Sequence, residues 1–251
     1  MTPLIAILAG FAVGGTLGAV GAGGSILTIP VLVYALGVDV HDAAGTSLAI
    51  VGVNAGVGVA LHGRAKAVAW REGLAFGALA AVGAFAGAIV NGHMPALVLL
   101  GGLAVLMVVA AVQMWRGRHQ PATGSARRAL PAVAAAGLGT GFLTGFFGVG
   151  GGFVVVPALV LVLGLSMPLA VGTSLLVIAI SAVAGIGPYL AAGRVDFAVG
   201  GLFIAGGVLG IAAGTLAGRY ASPARLREAF AVILIVVAVS LLAREGVALT
   251  A

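Results

Sequence analysis

Two short motifs that could bind an anion each occur twice in this chain of 251 residues. One is a glycine cluster, GAGGS at residues 21–25 and GVGGG at 148–152, with a proline following in both copies. The other is Gly-Thr-Ser-Leu, at residues 45–48 and again at 172–175. Corresponding positions are 127 residues apart throughout, so the copies align without a gap. Duplicated breaks in apolar segments indicate the binding site of a membrane transporter.

The glycine clusters suit an anion because glycine lets a ligand approach the main chain closely. A break in a helix also leaves unpaired amides at the positive dipole end of the following half-helix. The alternative is that these glycines only permit a kink or a close helix crossing. No Gly-Lys-Ser or Gly-Lys-Thr follows, so the pattern is not a nucleotide-binding loop. The expected anion contacts are Gly21, Gly23, Gly24, Ser25, Gly148, Gly150, Gly151 and Gly152.

The second motif supplies hydroxyl groups near the start of the next predicted helix. A serine or threonine there either caps the helix or donates hydrogen bonds to substrate oxygens. Two further polar residues follow two helical turns later on the same face, where they would line a cavity or bond a neighbouring helix. The side chains expected at the substrate are Thr46, Ser47, Asn54, Thr173, Ser174 and Ser181.

Acids and bases are few, and all six carboxylates fall in connectors or at helix ends. A proton relay or a sodium site built from carboxylates within a span is therefore not predicted. His62 ends its helix and is the candidate for proton coupling, the alternative being an ordinary histidine at the membrane interface. The chain has no cysteine, no Ser-His-Asp order and no metal-ligand spacing of histidines. We expect neither enzyme activity, nor a metal, nor a cofactor.

Composition indicates that the solvent of this chain is largely lipid. Hydrophobic residues make up 62% and charged residues only 7%, against about 25% charged residues in soluble domains. The long unbroken apolar runs predict an all-α polytopic membrane protein rather than a β-barrel, which would need alternating segments. The net charge of +6 resides in short connectors, as membrane topology requires. It does not form the basic surface of a nucleic-acid-binding protein.

Apolar windows divide the chain into two halves of about four helical elements each. A first transmembrane repeat is predicted over residues 1–115, a polar connector over 116–130 and a second repeat over 131–251. In each half the first element is broken at its glycine cluster. The predicted elements are 4–36, 43–61, 72–90 and 95–115, then 131–165, 168–191, 197–218 and 224–242.

Each broken element is either one interrupted span or a hairpin that returns to its own side. Interrupted spans would give a parallel repeat, with nine Lys and Arg on one side and three on the other. Hairpins would give an inverted repeat with ten against two. The positive-inside rule therefore favours the inverted repeat slightly.

The doubled glycine break with its proline and the doubled Gly-Thr-Ser-Leu resemble the TauE/SafE sulfite exporter family. The resemblance extends over nearly the whole chain apart from the central connector. It implies transport of sulfite, an organosulfonate or another organic anion across a bacterial inner membrane by a multi-pass protein. Nothing in the spacing of the residues identifies sulfur.

The sequence thus predicts a secondary transporter, and by family resemblance an exporter, of a small anion. Two other functions stay open at this point: an anion channel, and a membrane scaffold in which the glycines serve only packing. The expected partners are the substrate anion and the lipid bilayer, with a homodimer left open. The anion, the coupling ion and the direction of transport are not readable from the sequence.

Overall fold

The computed structural model describes residues 2–20, 22–64, 67–115, 130–218 and 232–241. Across these ranges the chain forms ten helices and no strand. Segment α2 begins with 3-10 turns over Ala22–Leu27 and ends with a π-helical turn over Val31–Ala35. The helices are α1 Thr2–Val20, α2 22–35, α3 Val40–Arg64, α4 Trp70–Asn91, α5 Ala96–Trp115, α6 Leu130–Phe147, α7 Gly152–Leu163, α8 Met167–Ala191, α9 Phe197–Gly218 and α10 Val232–Leu241.

These elements confirm the predicted all-helical membrane fold. Five of the described helices, namely α3, α4, α6, α8 and α9, are long and apolar enough to cross a membrane. Large apolar side chains such as Leu4, Val82 and Val183 lie exposed on the outside of the bundle, where lipid can cover them. The predicted connector, apart from Leu130, lies outside the described residues, as do residues 224–231 and 242 of the last predicted helix. The division into 1–115, 116–130 and 131–251 stays a prediction.

Helix bounds recur with the spacing of the motifs. Helices α8 and α9 begin 127 residues after α3 and α4 respectively. Their directions can be read from close contacts, because a Cβ placed on Gly45 would meet Tyr189 and one on Gly52 would meet Ala182. Residue numbers rise along α3 as they fall along α8, so these two helices are antiparallel. An inverted repeat requires this geometry, although the internal repeat itself stays a prediction.

The first helix of each half packs against a helix of the other half. In α1, Gly10 lies against the backbone of Phe203, and Gly14 lies against that of Gly207. Residue numbers rise in the same direction along both helices, so α1 and α9 are parallel. They approach each other backbone to backbone. The pairing of α6 with α4 follows the same pattern. The two halves are therefore interleaved rather than separate bodies.

The broken elements are hairpins. Helix α9 runs parallel to α3, since Gly200 faces Thr46 and Gly207 faces Asn54. Because α1 is also parallel to α9, α1 and α3 run in the same direction. The short α2 between them must therefore return toward the side on which α1 begins, as the charge count favoured.

Glycines in the α4–α6 contact predict a simple stability experiment. A Cβ at Gly141 would overlap the carbonyl group of Ala80, whereas one at Gly139 would meet nothing within 4 Å. We expect Gly141→Ala to lower the melting temperature in detergent, since overpacking costs about 1–3 kcal/mol. Gly139→Ala should leave it unchanged or raise it, because alanine is favoured over glycine in helices by about 1 kcal/mol. Equal melting temperatures would contradict the backbone contact.

Candidate functional site

The second glycine break separates α6 from α7. Three of its residues have a backbone conformation that only glycine adopts readily. Gly148, Gly150 and Gly151 have φ values of +68°, +71° and +61°, in the left-handed region that disfavours a Cβ. Gly151 is the residue before α7, and Gly152 is its first residue. The glycine cluster thus ends one helix and starts the next within four residues.

This break lies between α3 and α8. Gly148 is against the backbone of Ala44, and Gly150 lies between Val51 on α3 and Ile178 on α8. Ile178 is near the middle of α8, so the break reaches about half the depth of that helix. Val51 and Ile178 are both buried and occupy positions 127 residues apart. The break therefore meets the contact of the two antiparallel helices.

Side chains from other helices satisfy the carbonyl groups at the end of α6. The Tyr189 hydroxyl donates to the Gly145 carbonyl at 2.8 Å, and Asn91 Nδ2 donates to the Phe146 carbonyl at 2.7 Å. The last carbonyls of any helix lack partners within the helix, and lipid supplies none. α6 can therefore end inside the bundle because α8 and α4 supply donors.

On the other side of the break, α7 begins with its amides directed toward the glycines. The amides of Val154 and Val155 donate to the Gly151 carbonyl at 2.9 and 2.8 Å. Amides earlier in the first turn of a helix have no acceptor within it and carry its partial positive charge. This end of α7 can attract an anion.

The first break is described in part. Gly21 lies outside the described residues, while Gly23, Gly24 and Ser25 lie in the 3-10 turns over Ala22–Leu27. Ser25 is fully buried. This segment packs against α7, so the structure brings the two broken elements together.

The two threonines of the Gly-Thr-Ser-Leu motifs hold loops of the opposite half. Thr46 Oγ1 accepts a hydrogen bond from the Asp196 amide, and Thr173 Oγ1 accepts one from the Ala69 amide, both at 2.9 Å. Both threonines lie in the second turn of their helices, so neither caps a helix end. Asp196 and Ala69 each precede the helix that follows, α9 and α4.

The glycine before each threonine makes room for the same loop. A Cβ on Gly45 would overlap the Arg194 carbonyl, and one on Gly172 would overlap the Ala67 carbonyl. The loop backbone therefore passes directly over the helix, where its amide reaches the threonine hydroxyl. The Gly-Thr pairs form two interhelical ties, one at each end of the α3–α8 contact.

The remaining predicted side chains differ between the halves. Ser174 Oγ donates to the Val171 carbonyl at 2.7 Å, and Ser181 Oγ donates to the Val177 carbonyl at 2.8 Å. Their counterparts on α3 have no such bond, because Ser47 Oγ and Asn54 Oδ1 are buried without a hydrogen-bond partner. The relative exposure of Ser47 is 0% and that of Asn54 is 1%.

Thr28 on α2 is a third residue of this kind, and the sequence analysis missed it. Its Oγ1 atom is fully buried and has no hydrogen-bond partner. The position corresponding to Thr28 in the second half is Val155, so no repeated motif marks it. Its only signal is that a hydroxyl stands in a short apolar half-helix directly after a glycine break.

A small cavity lies next to the start of the break, against Ala44 and Phe147. This cavity of about 10 Å³ lies among α2 to α6 and has room for about one water molecule. Its lining includes Ile29, Ala44 and Phe147, with Asn91 as the polar member. No group of His, Asp and Glu that could hold a metal is found within the described ranges. His62 lies in α3, and its side chain is outside the described residues.

Comparison with known proteins agrees with these features. A family model described as "Sulfite exporter TauE/SafE" matches residues 6–241. A "Probable membrane transporter protein" of Xylella fastidiosa (strain 9a5c) is 36% identical over 99% of this chain and 98% of its own length. The "Probable membrane transporter protein YdhB" of Bacillus subtilis (strain 168) is 30% identical over 86% of this chain and 87% of its own length. No solved structure matches the chain significantly.

The threonine ties predict that Thr46 and Thr173 matter first for stability. Thr46→Val would keep the shape of the side chain but leave the Asp196 amide without its acceptor, at a cost of about 1–3 kcal/mol. We expect a lower melting temperature in detergent for Thr46→Val and for Thr173→Val. Thr46→Ser and Thr173→Ser keep the hydroxyl and should melt within a degree or two of the parent. Valine variants as stable as the serine variants would contradict the ties.

Proposed function

The chain belongs to the sulfite exporter TauE/SafE family and is a multi-pass membrane transporter, and we propose that it exports a small sulfur-containing or organic anion such as sulfite or an organosulfonate. The observation that carries this proposal is the set of buried oxygen atoms without a hydrogen-bond partner at Thr28, Ser47 and Asn54. Of these residues, Ser47 stands in the sequence between Ala44 and Val51, the residues of α3 that contact the second glycine break. A buried polar atom without a partner costs about 1–3 kcal/mol. A bound ligand can supply the missing hydrogen bonds.

Ser47 is well placed to reach a ligand at the break. It follows Ala44 by three residues and precedes Val51 by four, so all three lie on one stripe of α3. Ala44 and Val51 contact Gly148 and Gly150 of the break. The Ser47 hydroxyl therefore lies on the face of α3 that the break covers, near the positive end of α7.

Thr28 reaches the same level from α2. Since α2 returns alongside α3, residues at equal distances from the connecting loop lie side by side. Ile29, next to Thr28, lines the same small cavity as Ala44. The hydroxyls of Thr28 and Ser47 can thus donate to one anion, while Asn54, two turns along α3, serves a later station about 10 Å away.

Ser174 and Ser181 have lower weight as substrate ligands, because their hydroxyls donate within their own helix. Thr46 and Thr173 position loops, and their effect on transport would be indirect. We therefore assign the substrate contacts chiefly to the first half, with backbone amides of both breaks. Gly21 stays a prediction at the first break.

The proposed transport cycle moves interleaved bodies rather than sequence halves. One body contains α1 and α9, and the other contains α4 and α6, because glycine contacts bind these pairs backbone to backbone. Access to the site from either side requires the α3–α8 contact around Val51 and Ile178 to open. Such rocking about a site near mid-depth is typical of secondary transporters with inverted repeats.

Charge distribution supports an orientation in a bacterial inner membrane. With hairpins at both breaks, ten of the twelve Lys and Arg fall, by sequence, at the end of the bundle where α3 ends and α4 begins. Arg194 belongs to the opposite end, near the start of α3. The positive-inside rule places the ten-residue side in the cytoplasm.

Flux through purified protein in liposomes tests this function and its alternatives. Vesicles are loaded with sulfite, an organosulfonate or a carboxylate, and efflux is followed with and without the same anion outside. A transporter should show saturation and counterflow for one class of anion. Flux that never saturates would favour a channel, and no flux of any anion would favour the non-transporting scaffold. Size measurement in detergent decides separately whether a homodimer forms.

The site predicts unequal effects of two matched substitutions. Ser47→Ala removes an unpartnered hydroxyl that faces the break, so transport should fall at least tenfold with little change in melting temperature. Ser174→Ala, its counterpart, removes only a hydroxyl bonded to its own helix and should keep transport within about twofold. Initial efflux rates in the same liposome assay provide the measurement. Equal losses in the two variants would contradict the assignment to the first half.

A further inference from the structure

Two hydrogen bonds join the first turn of α3 to the end of α6. His41 Nδ1 lies 3.2 Å from Asn91 Oδ1, and Asn91 Nδ2 donates to the Phe146 carbonyl at 2.7 Å. His41 is half-buried, while Asn91 is almost completely buried. The three residues thus form a continuous connection from the edge of the bundle to the residue pair that precedes the 148–151 break.

The chemistry of Asn91 determines which atoms carry hydrogens. A carbonyl group only accepts, so the amide nitrogen of Asn91 must face Phe146, and its oxygen must face His41. His41 then has to donate from Nδ1, which leaves Nε2 as the atom that gains or loses a proton. In the neutral ring the hydrogen can also move to Nε2, and Nδ1 then cannot donate to Asn91. A protonated ring donates from both nitrogens, so it secures the connection.

Some of the surrounding charges favour a protonated His41, and others oppose it. The first turn of α3 disfavours a cation, while the carboxyl-terminal ends of α4 and α6 favour one. Asp39, whose carboxylate accepts the backbone amide of His41 at 2.9 Å, and Asp42 also favour it. Arg194, whose guanidinium lies beside Gly92, opposes it. The other ionisable groups that the structure describes at this end of the bundle are Tyr34, His93, Tyr189 and Asp196.

We propose that His41 is a proton-binding site that controls the 148–151 break through Asn91. Imidazole is the side chain whose ordinary charge change falls near neutral pH. A charged donor makes a hydrogen bond about twice as strong as a neutral one. Protonation of His41 therefore strengthens the hold on the end of α6 in the arrangement described here. Loss of the proton weakens that hold, because one of the two neutral tautomers cannot donate to Asn91.

A role in coupling follows if the proposed transport function is correct. By the charge distribution, His41 lies toward the outer side of the membrane, where α3 begins. Binding of a proton from that side would hold the 148–151 break in the arrangement described here. Loss of the proton would allow the break to move. This gives the anion a route of exchange against protons that differs from the one predicted at His62.

Hydrogen exchange tests the proton site without any transport. The protection of the peptide containing residues 145–152 is measured in detergent at about pH 6 and about pH 8, on either side of the ordinary histidine range, and corrected for intrinsic exchange. We expect about fivefold more protection at the lower pH. His41→Gln keeps a donor for Asn91 but cannot titrate, so the pH difference should vanish.

His93→Gln is the matched control. His93 lies two residues after Asn91, and its Nδ1 bonds only the Ile89 carbonyl of its own helix, at 3.0 Å. This variant should retain the full pH difference. Persistence of the difference in His41→Gln, or its loss in His93→Gln, would overturn the proposal.

The liposome assay then separates the proton site from the transport function. If the chain transports an anion, the pH dependence of efflux should disappear in His41→Gln and persist in His62→Gln. The reverse result would assign coupling to His62 and contradict a coupling role for His41. Absence of any flux, together with the expected hydrogen exchange, would contradict the proposed transport while leaving the proton site established.

Discussion

Satisfaction of backbone hydrogen bonds at the end of a broken helix is the constraint on which the rest of this structure depends. A helix that stops inside a bilayer leaves carbonyl groups that lipid cannot satisfy. Here Tyr189 and Asn91 reach in from two other helices to the last carbonyls of α6. The chain then leaves α6 through glycines at left-handed φ, a conformation that a Cβ would disfavour. A positive helix end, which can attract an anion, is thereby held inside the protein.

These donors reach their acceptors only because the helices are very close. Glycine contacts bring α4 against α6 and α1 against α9, backbone to backbone. Dispersion between closely packed helices, rather than the hydrophobic effect, stabilises such pairs in lipid. The same closeness lets the loops before α4 and α9 pass over Gly172 and Gly45 and bond the neighbouring threonines. The close packing of the helices and the hydrogen bonds of their buried polar groups thus depend on each other. A larger residue at a contact glycine would disturb both.

Much of the fold could be predicted, because apolar length and polar punctuation are local properties of the sequence. The predicted element 197–218 coincides with α9, and the others agree within a few residues where they are described. The contacts between helices were harder to predict than the helices themselves. The repeated Gly-Thr-Ser-Leu indicated that the threonine hydroxyl has a role. It did not indicate that the hydroxyl of Thr46 accepts a hydrogen bond from a loop 150 residues away. Thr28 and His41 carried no repeated motif, and their importance depends on helices that are distant in the sequence.

Comparison of the two halves separates architecture from chemistry. Positions that hold backbone in place, such as Gly45 with Gly172 and Thr46 with Thr173, are the same in both halves and make equivalent contacts. At both positions a loop passes over the glycine and bonds the threonine, so the same two residue types are required. Several residues with unpartnered or titratable groups, by contrast, differ in type from their counterparts. Thr28 corresponds to valine, Asn54 to serine and His41 to proline.

Ser47 and Ser174 show the same distinction within a single residue type. The Ser174 hydroxyl donates to a carbonyl of its own helix, whereas the Ser47 hydroxyl has no partner. A symmetric scaffold with an asymmetric lining is expected of a protein that binds one anion, since a single small ligand cannot satisfy two equivalent sets of donors at once. In the proposed transport cycle the symmetric positions would determine how the helices move, and the asymmetric ones would determine which anion is carried.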